Sequence, residues 1–226
     1  MAIFNTVYGG EINWKPSSNT IAYYPLNSTD TVNDMSGNSK NLTNNNVTFW
    51  VYQGVDCWYF NARWSSNWYC WLYNSSFYPW GSASFPITVN LWFYASWNST
   101  YNNPRIIWPI VWAKSIWNKI VAWWYNEWNI DWLMFNVWER TNAIFVLIDN
   151  NHYTVYKNWV LQYENVYTNN SVWNSKYLTV WTRDDNWTQY WDKWDWWISE
   201  IIIENKVRTA DEAYKYYKKT KWNYWI

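Results

Sequence analysis

The sequence predicts an all-β fold: a jelly-roll sandwich of two antiparallel sheets, closed by one short C-terminal helix. Three observations predict it. Short apolar or alternating segments recur along the chain from Thr20 onward, the gaps between them are rich in Asn, Ser and Asp, and a helix-initiation signature stands near the C-terminus. A length of 226 residues fits one such domain, because sandwiches often run beyond about 200 residues.

Residues 1–19 lack periodicity and contain Gly9-Gly10 and Pro16, so they are read as an N-terminal arm, and 20–226 as a single domain. Strands are expected at 20–26 and 47–49, then at 55–60 and 67–73 as a pair around the polar turn 61–66. Further strands are expected at 87–95, 105–112, 120–123, 132–137, 143–149, 177–181 and 198–204. Segment 152–163 reads as a hairpin, with two alternating runs meeting at Asn158-Trp159. The helix is expected at about 209–219. Thr209-Ala210-Asp211-Glu212 is a capping box, and lysines gather towards the C-terminal end, where they complement the helix dipole.

Tryptophan stands where glycine is expected. The chain holds 27 Trp and 5 Gly, whereas glycine ordinarily makes up about 7% of residues. Many of the indoles follow turn formers, at Asn67-Trp68, Asp131-Trp132, Asn158-Trp159 and Asn186-Trp187, or are doubled, at Trp123-Trp124 and Trp196-Trp197. A type I′ turn needs positive φ at both central residues, which suits Asn-Gly and not Asn-Trp. One reading is that the codon UGA, meaning glycine in the source lineage, was translated as tryptophan. On that reading Trp222 and Trp225 act as glycines that end the helix. The other is a Trp-rich sugar binder. Trp92, inside the strand-like run 87–94, reads as a true tryptophan in either case.

Charge narrows the partners. Lys+Arg and Asp+Glu balance at 17 each, so no net field favours nucleic acid or an anionic membrane. No run of 18 apolar residues is present, which predicts no membrane insertion. Residues 1–10 lack a basic start followed by an apolar stretch, so no secretion signal is expected. An extracellular role then implies another route, such as assembly into a virus particle, or a piece of a longer protein. Sequons at Asn27, Asn41, Asn46 and Asn98 are expected by chance in so Asn-rich a chain. Cys57 and Cys70 fall nearly opposite each other in the expected strand pair, which allows a disulfide; two buried free thiols are the alternative.

Four stretches together resemble laminin-G-like, concanavalin A-like lectin domains. Ile21-Ala22-Tyr23-Tyr24-Pro25-Leu26-Asn27 followed by Asp34-Met35-Ser36-Gly37-Asn38 is similar to that family's opening strand and turn. Residues 87–93 resemble its central Trp-bearing strand, 156–161 its Tyr-Val-Asn-Gly-Val-Leu hairpin, and 196–212 its closing strand and short helix. The resemblance spans 20 to about 217. It implies a concanavalin A-like jelly roll with a concave face that binds carbohydrate or protein, often beside calcium. It also implies an accessory module of cell-surface, phage-tail or polysaccharide-degrading proteins. One departure stands out: Ser199-Glu200 replaces the family's frequent Asp-Glu.

Catalytic chemistry has little support. His152 is the single histidine, which excludes a multi-His zinc site and leaves any triad to one residue beside Asn150-Asn151, where a solvated loop histidine is the expectation. Asp192, Asp195 and Glu200 come nearest to a glycosidase carboxylate pair, but the first two lie in a turn-like run. The protein is therefore read as not an enzyme. Calcium is the candidate cofactor, because hard cations take turn oxygens and Asp30, Asn33, Asp34 and Asn38 cluster them. By the resemblance, Glu200 completes that set; an Asx-turn loop satisfying its own backbone is the alternative. Candidate ligand contacts are Asn98, Tyr101, Asn102 and Arg105 in one loop and Arg183, Asp184 and Asp185 in another. The expected function is a non-catalytic binding module at a cell or virion surface with a glycan partner. The alternative is a structural or adhesion protein of a phage tail or cell surface that binds a surface protein.

Overall fold

The computed structural model describes residues 14–26, 32–45, 47–61, 71–77, 85–95, 105–108, 111–116, 119–123, 133–136, 139–149, 152–167, 178–180 and 195–224. The strands are β1 (Thr20–Tyr24), β2 (Thr43–Asn45), β3 (Thr48–Tyr52), β4 (Val55–Asn61), β5 (Trp71–Asn74), β6 (Ile87–Ala95), β7 (Arg105–Trp108), β8 (Val111–Ile116), β9 (Lys119–Trp123), β10 (Leu133–Asn136), β11 (Arg140–Leu147), β12 (His152–Lys157), β13 (Val160–Tyr167), β14 (Leu178–Val180) and β15 (Asp195–Glu204). One helix follows, α1 (Ala210–Tyr224).

Among the described residues the strands form two antiparallel sheets, as expected. The larger has eight strands in the order β13-β12-β11-β6-β15-β4-β3, with β1 also on β15; the smaller has seven, β10-β9-β8-β7-β14-β5-β2. Strand alternation sends one set of side chains between them. Ile87, Val89, Leu91 and Phe93 of β6, Ala143, Phe145 and Leu147 of β11, and Ile198, Ile201 and Ile203 of β15 meet Leu72, Leu178 and Val180 of the smaller sheet in one core.

The other face of the larger sheet carries Trp92, Ile144, Val146 and Ile202, and α1 covers these with Ala213, Tyr216, Tyr217 and Tyr224. With buried Thr220 among them, those helix positions recur every three or four residues, so a single stripe does the covering. The capping box forms as expected: the Thr209 amide donates to Glu212 Oε2 at 2.9 Å and the Glu212 amide to Thr209 Oγ1 at 3.3 Å. The helix continues past 219, however, through Trp222 to Tyr224. The expected stop at Trp222 is corrected, because this indole is exposed helix surface and Tyr224 behind it is anchored in the sheet.

Two hairpins turn through left-handed pairs. Asn158 and Trp159 have φ of 47° and 68°, and Gln53 and Gly54 have 50° and 74°. The first joins β12 to β13 as the sequence indicates. The second joins β3 to β4, a pairing absent from the sequence expectations. The expected pairing of 55–60 with 67–73 is corrected: β4 lies in the larger sheet between β3 and β15, and β5 in the smaller sheet between β2 and β14. Cys57 is a buried free thiol whose Sγ donates to the Trp50 carbonyl at 3.3 Å, and Cys70 lies outside the described residues. The segment 105–112 is two strands, β7 and β8, paired antiparallel.

Candidate functional site

Beyond the helix, the outer face of the larger sheet becomes aromatic. Register sets one rung across four strands: Arg140 of β11 faces Tyr94 of β6, Tyr94 faces Trp197 of β15, and Trp197 faces Tyr59 of β4. On β3, Trp50 and Tyr52 stand opposite Cys57 and Val55 and so share this face. The rings pack tightly. Trp197 is stacked between Tyr52 and Tyr59, with centroids 4.5 and 4.8 Å away, and Tyr52 lies 4.7 Å from Tyr94. The Tyr52 hydroxyl donates to that of Tyr94 at 3.0 Å.

Exposure rises towards the sheet edge. Trp197 and Tyr94 are buried, Tyr52 and Tyr59 half-buried, and Trp50 is 53% exposed. Trp50 and Tyr59, 6.3 Å apart and tilted, therefore present ring surface to solvent on edge strand β3 and its neighbour. Flat aromatic rings with polar tips beside a charged donor can bind a ligand that has apolar faces and hydroxyl edges. The donor is Arg140, whose Nη2 bonds the Tyr52 carbonyl at 3.1 Å. Burial pushes the nearby Cys57 thiol up to about 12, so it stays protonated.

Beneath α1 lies a second polar group. Glu200 is fully buried, with Oε2 accepting from the Tyr224 hydroxyl at 2.6 Å and Oε1 from the Tyr216 hydroxyl. Burial raises its pKa to about 7 despite both donors and nearby Arg208. Arg208 pairs with buried Glu204.

No protein-family profile matches the chain, and neither does any curated protein sequence. Solved structures do. Domain 4 of AbnA, a GH43 extracellular arabinanase of Geobacillus stearothermophilus in complex with arabinotriose, is similar at TM-score 0.60 and 14% identity, over 88% of this chain and 98% of that one. A botulinum neurotoxin type C structure has TM-score 0.63 and 15% identity, over 88% and 51%. The binding domain of botulinum neurotoxin DC in complex with rat synaptotagmin II has TM-score 0.62 and 15% identity, over 88% and 51%. The chain thus spans about half the length of the neurotoxin chains and nearly all of the AbnA domain. It shares their β-sandwich fold. No helix among the described residues is long and apolar enough to cross a membrane.

The residues chosen from sequence fare unevenly. Asp30, Asn98, Tyr101, Asn102, Arg183, Asp184 and Asp185 lie outside the described residues, and Arg105 is placed only as the first residue of β7. Asp34 is a structural turn residue. Its Oδ1 accepts the Tyr23 and Ser36 amides and its Oδ2 the Ser36 hydroxyl and the Lys40 amide, all at 2.8–2.9 Å. Asn38 Nδ2 donates to the Thr20 and Ile21 carbonyls, and Asn33 is exposed. Glu200 is held apart from them by two tyrosines beneath α1, and the contacts of Asp34 and Asn38 are those of an Asx-turn clamped onto β1. Among the described residues no group of three His, Cys, Asp or Glu side chains could hold a metal. His152 opens β12 rather than lying in a loop, and sits half-buried beside Asp149, Nδ1 to Oδ2 at 2.8 Å. The aromatic face and Arg140 escaped the sequence reading. Their one signal was Gln53-Gly54, which would have joined 48–52 to 55–61 and aligned Trp50, Tyr52, Cys57 and Tyr59.

Proposed function

We propose that this chain is a non-catalytic carbohydrate-binding module of laminin-G-like type, working outside a cell or on a virion surface. Its glycan sits on the rings of Trp50, Tyr52 and Tyr59. The observation that carries the reading is the graded aromatic face, buried at Tyr94 and Trp197 and open at β3. The AbnA domain, similar over nearly its whole length, is in complex with arabinotriose, and botulinum neurotoxin type C depends on two ganglioside molecules to enter cells. Both support a saccharide partner.

A glycan array with arabinan, xylan and sialylated oligosaccharides tests this, repeated with Tyr59→Ala. A ring contact worth roughly 1.4 kcal/mol predicts about a tenfold loss of affinity. Wild-type binding that Tyr59→Ala leaves intact would move the site elsewhere. A protein partner is the second reading. It is favoured by Trp50 and Val51, both 53% exposed on a strand that ends the sheet order.

We further propose that Trp159 is glycine in the native protein, through UGA decoded as glycine. Trp159 takes φ of 68° in a two-residue hairpin turn with its indole 43% exposed, a conformation that costs a bulky residue roughly 1–2 kcal/mol. Trp92 behaves oppositely. It is buried in β6, and its indole donates to Thr220 Oγ1 at 3.3 Å. Mass spectrometry of the natural protein decides the point, since glycine and tryptophan at 159 differ greatly in mass. The tyrosines of the proposed site stand in either case.

A further inference from the structure

Among the described residues, the aromatic face holds a cation with no anion paired to it. Arg140 is half-buried; its Nη2 donates to the Tyr52 carbonyl, while Nη1 is buried and has no hydrogen-bond partner among the described residues. Among the described residues, the side chains that act on its charge are Cys57, Tyr224, Tyr52 and Tyr94. A thiol and three phenols supply no negative charge near neutral pH. Burial works further in that direction, raising the thiol and pushing Tyr94 and Tyr224 above the ordinary phenol range.

Two described carboxylates close to Arg140 in sequence or on its face are engaged elsewhere. Its neighbour in sequence, Glu139, accepts from Asn158 Nδ2 at 3.4 Å and lies 3.8 Å from Lys157 Nζ, towards the β12–β13 hairpin. Glu200, on the same face of the sheet, is taken by Tyr216 and Tyr224. Removing a guanidinium from water is costly unless a counter-charge and hydrogen bonds replace the lost hydration. Here one carbonyl replaces it, and the burial lowers the pKa of the group. A neutral residue at this rung position would spare the fold that cost, so the charge points to a ligand.

We propose that Arg140 is the anion-recognising residue of the aromatic face, and that the saccharide bound there carries a carboxylate, as uronic and sialic acids do. This rests on the carbohydrate reading above and names the class of ligand. A guanidinium fork matches a carboxylate with two parallel hydrogen bonds, which a lysine cannot reproduce. Three strand spacings separate Arg140 from Tyr59 on the rung, roughly 14 Å. A ligand that engages the charge at one end and the open rings at the other is therefore an oligosaccharide.

The test compares acidic saccharides with neutral counterparts by titration calorimetry: trigalacturonate against its methyl ester, and sialyllactose against lactose. Wild-type protein is expected to bind at least one acidic member about tenfold or more tightly than its neutral partner. Arg140→Gln removes that preference, and Arg140→Lys retains part of it. Arg140→Gln is also expected to melt no lower than wild type, which a purely structural arginine would not allow. Should that variant fail to fold, the acid-against-ester comparison on wild type and Arg140→Lys still decides. Equal binding of acidic and neutral forms, unchanged in the variants, overturns the role of Arg140 while leaving a carbohydrate module in place. Absence of binding to every saccharide, acidic or neutral, overturns both.

Discussion

Single residues in this protein separate into those that the fold needs and those that it only tolerates. Glu200 belongs to the first group and sets a pH dependence. Its folded pKa of about 7 exceeds the ordinary 4.5, so between those values the native state holds a proton that the unfolded chain has released. Stability from this group is therefore full below about pH 4.5, falls as pH rises, and is lost above about pH 7. At about 1.4 kcal/mol per pKa unit the total is roughly 3 kcal/mol. Thermal melts of wild type and Glu200→Gln across pH 4–8 check this: the variant should lose most of the slope and gain stability at pH 8. An unchanged slope would mean that the carboxylate titrates normally. Trp159 belongs to the tolerated residues. Trp159→Gly should raise stability by about 1 kcal/mol through relief of left-handed strain, measured by urea unfolding, even though it forfeits the ring contact with Tyr214 at 5.1 Å.

At the scale of elements, the readable parts were those whose information is local. β6 runs from Ile87 to Ala95, the span that its β-branched and aromatic alternation marked. The Asn158 hairpin and the Thr209 capping box formed where a few adjacent residues dictate them. What sequence could not supply was sheet membership. The two segments flanking 61–66 look like one hairpin, yet β4 and β5 belong to opposite sheets, because short alternating runs carry the same pattern whether they pair or cross the sandwich. Pro109, which lacks a ladder donor, was the available sign that 105–112 splits into β7 and β8. The helix end was misplaced for another reason. Its length is set by Tyr224 reaching Glu200, a contact at the far end of a 15-residue helix from the cap and invisible to local patterning. Removing the cap with Thr209→Ala should cost about 1 kcal/mol in urea unfolding, and a loss below about 0.3 kcal/mol would show that tertiary anchoring alone holds α1.

In the molecule as a whole, the larger sheet has work on both faces. Its inner face makes the core with the smaller sheet, and its outer face is shared between α1 and the aromatic rung. Side-chain alternation dictates this division: Trp92, Tyr94, Arg140 and Trp197 all leave the core because their neighbours Leu91, Phe93 and Ile198 enter it. The site was hard to see in sequence because it draws on β3, β4, β6, β11 and β15, which lie up to about 150 residues apart in the chain and meet only through register. Removal of α1 by ending the chain at Arg208 should expose Trp92, Ile144, Val146 and Ile202 as an apolar patch and drive self-association visible by light scattering. A truncated protein that stays monomeric would show that the helix is not needed to cover this face. The most direct test of the binding face is the double variant Tyr52→Ala/Tyr59→Ala, compared with wild type on one glycan array after circular dichroism has shown that both are folded. Loss of all saccharide signal in the folded variant is the predicted result; wild-type binding that survives in it would contradict the assignment of the β3–β4 face as the site.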